Sequence, residues 1–351
     1  MMKRMVLLLG FLMILGGAVG GGYWVLGSAK TSEMELVQSR FEENEGGPGE
    51  EKLHPLTIAA QRSKEYPGSE ITIEQTLASG SNYDRYVVWY RSEGLKIYVL
   101  LTVPRGERPA GGWPAIIFNH GYIPPEQYRT TERYQAYVDG FARAGYMVFK
   151  PDYRGHGESE GNPEGAYYSD AYISDVLNAV ASIKKHPQVD PNRIGMWGHS
   201  MGGHLTLRAM VVSSDIKAGV IWAGVVASYE DMMNKWRRRV AWMPSQSERQ
   251  FRRPNRQELI DRYGTPEQNR EFWQSISPIY FVSDISGPVQ LHHGLADGSV
   301  PFEFSESLKE ALFTAEKTVE YYIYPGADHN LSGGAFGEAM RRSVEFFDRY
   351  L

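Results

Sequence analysis

The sequence of 351 residues contains no cysteine. This excludes a disulfide scaffold, a thiol nucleophile and metal sites built on thiolates. An excess of positive charge is also lacking, because the net charge is −5, and this argues against general nucleic-acid binding. No repeat with a period of roughly 20 to 50 residues is present, so β-propeller blades are not encoded. The length allows two average domains or one large α/β domain with additions, and the hydrophobic content of 42% is enough for a sizeable core.

Long apolar runs are scarce, and the one that is long enough to span a membrane lies at the N-terminus. The run at residues 5–27 carries no charge, and it is longer than the roughly 20 residues that a transmembrane helix needs. Tyr23 and Trp24 stand where an interfacial anchor would, although Ala18-Val19-Gly20 would also suit cleavage of a signal peptide. We expect residues 1–30 to be a transmembrane anchor or, as the alternative, a signal peptide. Because basic residues precede the run, the remainder would lie outside the cytoplasm, on a single-pass cell-membrane protein or a secreted one.

The next segment, residues 31–54, has too few apolar side chains to fold. It is polar and acidic, with five glutamates within residues 42–51. Such a composition cannot bury the surface that ordering requires. We expect a flexible tether between the membrane and a domain formed by residues 55–351.

This domain begins with strands and continues as strands alternating with helices. Runs rich in β-branched and aromatic residues, separated by turn signals, predict an antiparallel start to the sheet at residues 71–77, 85–90 and 95–103. Short apolar strands are then predicted at 115–118, 146–149, 193–197, 219–226, 289–293 and 319–324. Helices are predicted between and after them at 131–144, 169–185, 201–212, 302–314 and 337–350. This alternation indicates an α/β fold with a mostly parallel sheet and helices on both faces.

The alternation breaks at about residues 229–287. This stretch is rich in Trp, Arg, Gln and Glu, and it predicts two or three helices that form a partial cap over the sheet edge. Trp236, Arg237 and Trp242 are candidates for substrate binding. Further arginines follow at 238, 239, 249, 252, 253 and 256. The basic side chains would bind an acidic substrate or anionic lipid, or they simply form a solvated helix face.

The sequence Gly198-His199-Ser200-Met201-Gly202 joins a predicted buried strand to a predicted helix. A serine hydroxyl becomes a useful nucleophile when a sharp strand-to-helix turn lifts it clear of its neighbours. Glycine suits positions 198 and 202 because side chains there would collide with neighbouring backbone in so tight a turn. We therefore interpret Ser200 as the candidate nucleophile.

Two later loops supply a candidate acid and a candidate base. Asp297 and His329 each follow the C-terminal end of a predicted strand, the edge at which ligands bind in open α/β sheets. His329 would take the proton of Ser200, and Asp297 would hold the tautomer of the histidine ring. Asp328 competes for the role of the acid, but its adjacency to His329 points its side chain elsewhere, so we expect it to shape the loop.

The other histidines near these motifs do not predict a metal site. His292 and His293 are neighbours on a strand and face opposite ways. No carboxylate pattern completes a set with them or with His199 and His204. We expect these side chains to be packed, and we expect neither a metal nor a cofactor.

An upstream turn supplies a candidate for oxyanion binding. The first strand of the parallel part ends in Asn119-His120-Gly121-Tyr122. We expect the backbone N–H groups of Tyr122 and Met201 to form the donor pair, and His120 to order the turn. After the next strand, Asp152 and Arg154 are expected to pin the loop beside the pocket.

With these residues assembled, the chain resembles the α/β-hydrolase superfamily and, more narrowly, the catalytic domain of the prolyl oligopeptidase family of serine peptidases. The narrower resemblance rests on Pro151-Asp152-Tyr153-Arg154-Gly155, Gly198-His199-Ser200-Met201-Gly202-Gly203, residues 263–267 and 277–278, His293-Gly294, Asp297, Val300-Pro301 and Asp328-His329. It implies that the nucleophile, acid and base are Ser200, Asp297 and His329, with Tyr122 at the oxyanion position.

The resemblance also bears on the substrate. Peptidases of this family usually carry an N-terminal β-propeller, for which the segment before the domain is too short. Relatives without a propeller include carboxylesterases and deacetylases. The sequence therefore predicts an exported serine hydrolase that acts on a peptide or a small acyl ester through an acyl-enzyme. A hypothesis of another class is a catalytically inactive α/β-hydrolase fold that serves as a binding module.

Overall fold

The computed structural model of the chain describes residues 53–238 and 246–351. In these ranges the strands are β1 (Thr72–Leu77), β2 (Tyr83–Ser92), β3 (Leu95–Pro104), β4 (Trp113–Asn119), β5 (Met147–Pro151), β6 (Val189–His199), β7 (Ala218–Trp222), β8 (Val289–Gly294) and β9 (Val319–Tyr324). They form a nine-stranded sheet with the order β1-β2-β3-β5-β4-β6-β7-β8-β9. Strands β1 to β3 pair antiparallel, as do β3 and β5, and the pairs from β5 across to β9 are parallel.

Helices cover both faces of the sheet. They are α1 (Ile58–Ser63), α2 (Gln135–Arg143), α3 (Ala171–Ile183), α4 (Met201–Val212), α5 (Tyr229–Asn234), α6 (Gln246–Tyr263), α7 (Arg270–Ser275), α8 (Glu303–Thr314) and α9 (Gly334–Tyr350). Apolar residues of α3, α4 and α8 share one core cluster, and those of α2 and α9 share a second. Central strands are therefore apolar on both sides: β4 is buried from Pro114 to Asn119.

The predicted fold class is confirmed. The sheet is mostly parallel, it is covered on both faces, and it starts with antiparallel strands. The bounds of α4 and β9 agree with those predicted, whereas α9 begins at Gly334 and not at Gly337. The helix α1 was not among the predicted elements, because its six residues are too few to show a helical period.

The partial helical cap consists of α5, α6, α7 and a 3₁₀ segment, Pro278–Asp284. Its small apolar cluster contains Leu56, Tyr229, Leu259, Phe272, Trp273 and Ile276. Leu56 comes from the segment before α1, so the cap packs partly on residues outside it. His54 lies edge-on to Tyr263 and Phe272, with ring centroids 5.6 and 5.7 Å apart.

A buried guanidinium joins the N-terminal segment and the cap to α4. Arg208 is 1% exposed, and it donates to the carbonyl oxygens of Leu56 at 2.9 Å and Ile276 at 2.5 Å. It also donates to the Tyr229 hydroxyl at 3.3 Å. Burial lowers the pKa of Arg208, but the surrounding oxygens replace the water that its two terminal nitrogens have lost. We refer to these contacts as the Arg208 clamp.

The predicted anchor at residues 1–30 lies outside the described residues, as does the tether at 31–54 except for its last two residues. Among the residues that are described, no helix is both long and apolar enough to cross a membrane.

Candidate active site

Ser200 stands at a strained turn between β6 and α4. Its backbone has φ 56° and ψ −116°, a region that residues with a side chain rarely adopt. The turn is held on both sides, because the Ser200 N–H donates to the Trp222 carbonyl at 3.0 Å and the Ser200 carbonyl accepts from the Val225 N–H at 3.1 Å. The backbone is therefore fixed in this conformation at the junction of β6 and α4.

The glycines on either side of Ser200 permit close backbone contact. A Cβ atom added to Gly198 would lie 2.2 Å from the carbonyl oxygen of Gly202. A Cβ atom added to Gly202 would lie 1.9 Å from the carbonyl oxygen of Asn119, which ends β4. Neither contact is physically possible, so both positions require glycine.

Asp297 and His329 meet between the loops that follow β8 and β9. The His329 Nδ1 atom lies 2.7 Å from Asp297 Oδ2. Since a carboxylate only accepts, Nδ1 carries the proton and Nε2 is left as an acceptor. The other carboxylate oxygen accepts from the N–H groups of Ser299 at 2.7 Å and Val300 at 3.0 Å. The acid is thus fixed in place while the histidine ring stays half-buried.

A second histidine also supports Asp297. The ring of His293 is fully buried, and its Nε2 atom lies 3.2 Å from Asp297 Oδ2 while its Nδ1 atom lies 2.7 Å from the Ser305 hydroxyl. Burial alone would raise the pKa of Asp297, but hydrogen bonds from His293 and His329 outweigh burial and lower that pKa. The sequence predicts only packing for His293. Its spacing of four residues before Asp297 was the available signal.

The loop that carries His329 is held mainly through its backbone. The Asp328 carboxylate accepts from the N–H groups of Asn330 at 3.1 Å and Ser332 at 2.8 Å. The Tyr137 hydroxyl donates to the Asn330 carbonyl at 3.0 Å. Asp328 therefore caps its own loop, whereas Asp297 is the carboxylate bonded to the His329 ring.

The turn after β4 lies beside the Ser200 turn. Parallel pairing of β4 with β6 sets Asn119 opposite Gly198. Tyr122 comes three residues after Asn119, and Met201 comes three residues after Gly198. Met201 is the first residue of α4, where backbone N–H groups have no partner within the helix. This register places the two predicted oxyanion donors at the same edge of the sheet.

Aromatic rings fix His120 within this turn. The ring of His120 is stacked between those of Tyr128 and Tyr153, with centroids 4.5 and 4.3 Å apart. Burial lowers its pKa well below the ordinary value, so the ring is neutral. These contacts give His120 a part in the architecture of the turn.

An ion pair anchors the loop after β5. The Arg154 guanidinium contacts Asp175 at 2.7 Å and Glu93 at 2.7 Å. The backbone N–H of Arg154 also donates to the Asp175 carboxylate, at 2.9 Å. Asp152 accepts from the Thr130 hydroxyl at 2.5 Å. Both residues therefore connect the loop to neighbouring segments.

One of the three candidate substrate-binding residues of the cap reaches the loop that carries Asp297. The Trp236 indole N–H donates to the Ser299 carbonyl at 2.8 Å, and its ring lies edge-on to Tyr167 at 5.8 Å. Arg237 is exposed to solvent, and Trp242 lies outside the described residues. In the ranges that the structure covers, no group of three or more His, Asp or Glu side chains is arranged to hold a metal ion.

Comparison with known proteins decides the family. The sequence profile of the prolyl oligopeptidase family matches residues 132–351, which is more than half of the chain. The chain belongs to the prolyl oligopeptidase family. As a member of this family it is a serine hydrolase.

Individual relatives include both peptidases and esterases. The chain is 29% identical to the uncharacterized peptidase YtmA of Bacillus subtilis over 245 residues, which cover 70% of this chain and 85% of the relative. Dipeptidyl peptidase 4 of Porphyromonas gingivalis is 23% identical, with a TM-score of 0.59, and the match covers 77% of this chain but only 36% of that peptidase. An acetyl xylan esterase from Paenibacillus sp. R4 is 19% identical, with a TM-score of 0.59, and the match covers 84% and 92% of the two chains. The solved structures are similar to this chain in fold.

Proposed function

We propose that this family member hydrolyses amide bonds of peptides through an acyl-enzyme, with Ser200 as nucleophile, His329 as base and Asp297 as acid. The observation that carries the proposal is the 2.7 Å contact between Asp297 and His329 Nδ1. This contact leaves His329 Nε2 able to accept a proton. The strained turn at Ser200 supports the same assignment.

Each residue has one task in the reaction. Ser200 Oγ attacks the substrate carbonyl carbon while His329 Nε2 takes the hydroxyl proton, and Asp297 stabilises the imidazolium that forms. The N–H groups of Tyr122 and Met201 bind the developing oxyanion, each contributing about two to three orders of magnitude in rate. His329 then gives its proton to the leaving amine, and a water molecule activated by the same ring releases the acid product.

A second candidate is a carboxylesterase or deacetylase that acts on small acyl esters. The observation in its favour is coverage: the match spans 92% of the acetyl xylan esterase but 36% of the dipeptidyl peptidase. The described part of this chain therefore resembles an esterase over nearly the whole length of that enzyme. In both cases Trp236 is proposed to face the substrate from the cap, with Arg237 and Trp242 as further candidates.

We also propose that the enzyme works outside the cytoplasm. The support is the uncharged run at residues 5–27 with basic residues before it. Either an anchor or a cleaved signal peptide would export the domain. The proposed partners are therefore a peptide or acyl-ester substrate and, through residues 1–30, a membrane.

The test compares the purified full-length protein with Ser200→Ala and His329→Ala. We expect a fluorophosphonate probe to label the wild type and to leave the Ser200→Ala variant unlabelled, because the probe forms its bond with the activated hydroxyl. Both variants should lose turnover of p-nitrophenyl acetate while keeping the far-UV circular dichroism of the wild type. Labelling that survives in Ser200→Ala would refute the assignment of the nucleophile.

A matched pair of substrates separates the two candidates. One acyl group is presented as an aminoacyl or peptidyl ester and as the corresponding amide, and kcat/KM is measured for both. Turnover of the amide that is lost in Ser200→Ala supports the peptidase. Turnover of the ester alone supports the esterase, and a wild type that neither reacts with the probe nor turns over any substrate supports an inactive binding module.

A further inference from the structure

Tyr134 lies between the turn after β4 and the Ser200 turn. It immediately precedes α2 and has a positive φ of 60°, which is uncommon for a tyrosine. Its hydroxyl oxygen lies 2.9 Å from the Gly121 nitrogen and 2.7 Å from His199 Nδ1. The hydroxyl therefore connects a residue of one turn to a residue of the other.

His199 extends this connection to the loop that carries His329. Its Nε2 atom lies 2.9 Å from the His329 carbonyl oxygen, and the two rings lie 4.6 Å apart. A carbonyl only accepts, so Nε2 carries the proton and Nδ1 accepts from the Tyr134 hydroxyl. The hydroxyl oxygen in turn accepts from the Gly121 N–H, so every donor in the series meets an acceptor.

The surroundings keep these groups in that arrangement. His199 is 2% exposed, and burial lowers its pKa to about 3, so the ring is neutral and retains an acceptor. Gly121 fits closely against the pair: an added Cβ atom would lie 2.6 Å from the Tyr134 hydroxyl and 3.1 Å from His199 Nδ1. A side chain at position 121 would therefore displace the hydroxyl.

We propose that Tyr134 and His199 are positioning residues, which hold the turn after β4 and the backbone of His329 at a fixed separation on either side of Ser200. The inference rests on the proposed function, since it assigns a purpose to these contacts only if Tyr122 and His329 act in the reaction. Gly121 directly precedes Tyr122, so its hydrogen bond orients the peptide that leads to the proposed oxyanion donor. On the other side of Ser200, the hydrogen bond from His199 to the His329 carbonyl orients the backbone of the residue whose ring is the proposed base.

This arrangement matters because the transition state needs the oxyanion donor at Tyr122 and the base His329 in place at the same time. A shift of about 1 Å between reacting groups can cost about 100-fold in rate, and loss of one oxyanion donor costs a similar factor or more. Neither Tyr134 nor His199 needs to touch the substrate to have such an effect. The effect should fall on kcat, while KM changes little.

The experiment is a double-mutant cycle with Tyr134→Phe and His199→Leu in the full-length protein. Tyr134→Phe removes only the hydroxyl, and His199→Leu removes both hydrogen bonds of the ring. We expect kcat to fall about 10-fold in the first and about 100-fold in the second, with KM within about threefold of wild type. Because the contacts form one series, the loss of kcat in the double variant should be smaller than the product of the two single losses.

A conservative variant and a matched control separate positioning from stability. In His199→Gln the amide nitrogen can still reach the His329 carbonyl, so this variant should recover part of the activity that His199→Leu loses. Tyr146→Phe removes the hydroxyl of another buried tyrosine, one that donates to Asp348 at 2.5 Å, and its kcat should equal that of wild type. Thermal unfolding of each variant identifies any loss that comes from unfolding.

The outcomes distinguish this inference from the proposed function. If Ser200→Ala is inactive while Tyr134→Phe and His199→Leu both keep kcat within twofold of wild type, the function stands and the positioning role is refuted. Strictly additive losses, or equal activity in His199→Gln and His199→Leu, also contradict it. If Ser200→Ala remains active, the proposed function itself fails.

Discussion

At the scale of single residues, Asp297 is bonded through both of its carboxylate oxygens. Two histidine rings and two backbone N–H groups donate to it. An aspartate with this many donors is held ionised and immobile, so it can orient His329 without moving itself. Asp328, the residue before His329, accepts instead from backbone N–H groups of its own loop.

We predict that Asp297→Asn lowers kcat by about 10³- to 10⁴-fold. The amide has nearly the shape of the carboxylate, but it can donate to His329 Nδ1 and thereby place the ring proton on Nε2. Steady-state kinetics with p-nitrophenyl acetate measure the change. Asp328→Asn is the matched control, because its remaining oxygen can still accept from the loop, and it should stay within about threefold of wild type. A rate near wild type in Asp297→Asn would transfer the role of the acid to Asp328.

At the scale of elements, the site depends on how closely α4 approaches the end of β4. This approach brings the turn after β4 next to the start of α4, and Gly202 is the residue that permits it. The strain at Ser200 is thus maintained by packing of regular elements and not by the turn alone.

We predict that Gly202→Ala destabilises the fold by about 3 kcal/mol and abolishes activity, since the new methyl group would overlap the Asn119 carbonyl. Gly337→Ala is the matched control. Gly337 lies in α9 with open space around it, so alanine there should stabilise the protein by about 0.5–1 kcal/mol. Urea unfolding measures both changes. Equal stability of the two variants would contradict the close contact at Gly202.

Much of this architecture could be predicted from the sequence, because its signals are local. The apolar strands, the helix that begins at Met201 and the positions of Asp297 and His329 at strand ends all follow from short motifs. The bridge between Tyr134 and His199 could not be predicted, because it joins residues 65 positions apart through a left-handed backbone at Tyr134. The same is true of Arg208, whose partners come from three distant segments.

At the scale of the whole molecule, the location of the enzyme rests on residues 1–30. A retained anchor would bind the enzyme to a membrane as firmly as an integral protein, whereas a cleaved signal peptide would release it. The two alternatives differ in the first residue of the mature chain and in how the protein is extracted.

We predict that the full-length protein stays with the membrane fraction after alkaline carbonate extraction, and that removal of residues 1–30 transfers it to the supernatant. An impermeant fluorophosphonate probe should label it on intact cells, because the domain is proposed to face outward. A mature chain that begins near Gly20, determined by N-terminal sequencing, would rule out the anchor. Labelling only after cell lysis would contradict export.

The Arg208 clamp has a consequence for how an intact domain could be shed from such an anchor. A protease that cut within residues 65–71 would separate α1 from β1, yet the fragment before the cut would stay bound, since Arg208 holds the Leu56 carbonyl and Leu56 fills part of the cap cluster. A cut ahead of His54, whose ring packs on Tyr263 and Phe272, would leave these contacts untouched. Shedding of a hydrolase that keeps all of them would therefore require cleavage on the N-terminal side of His54.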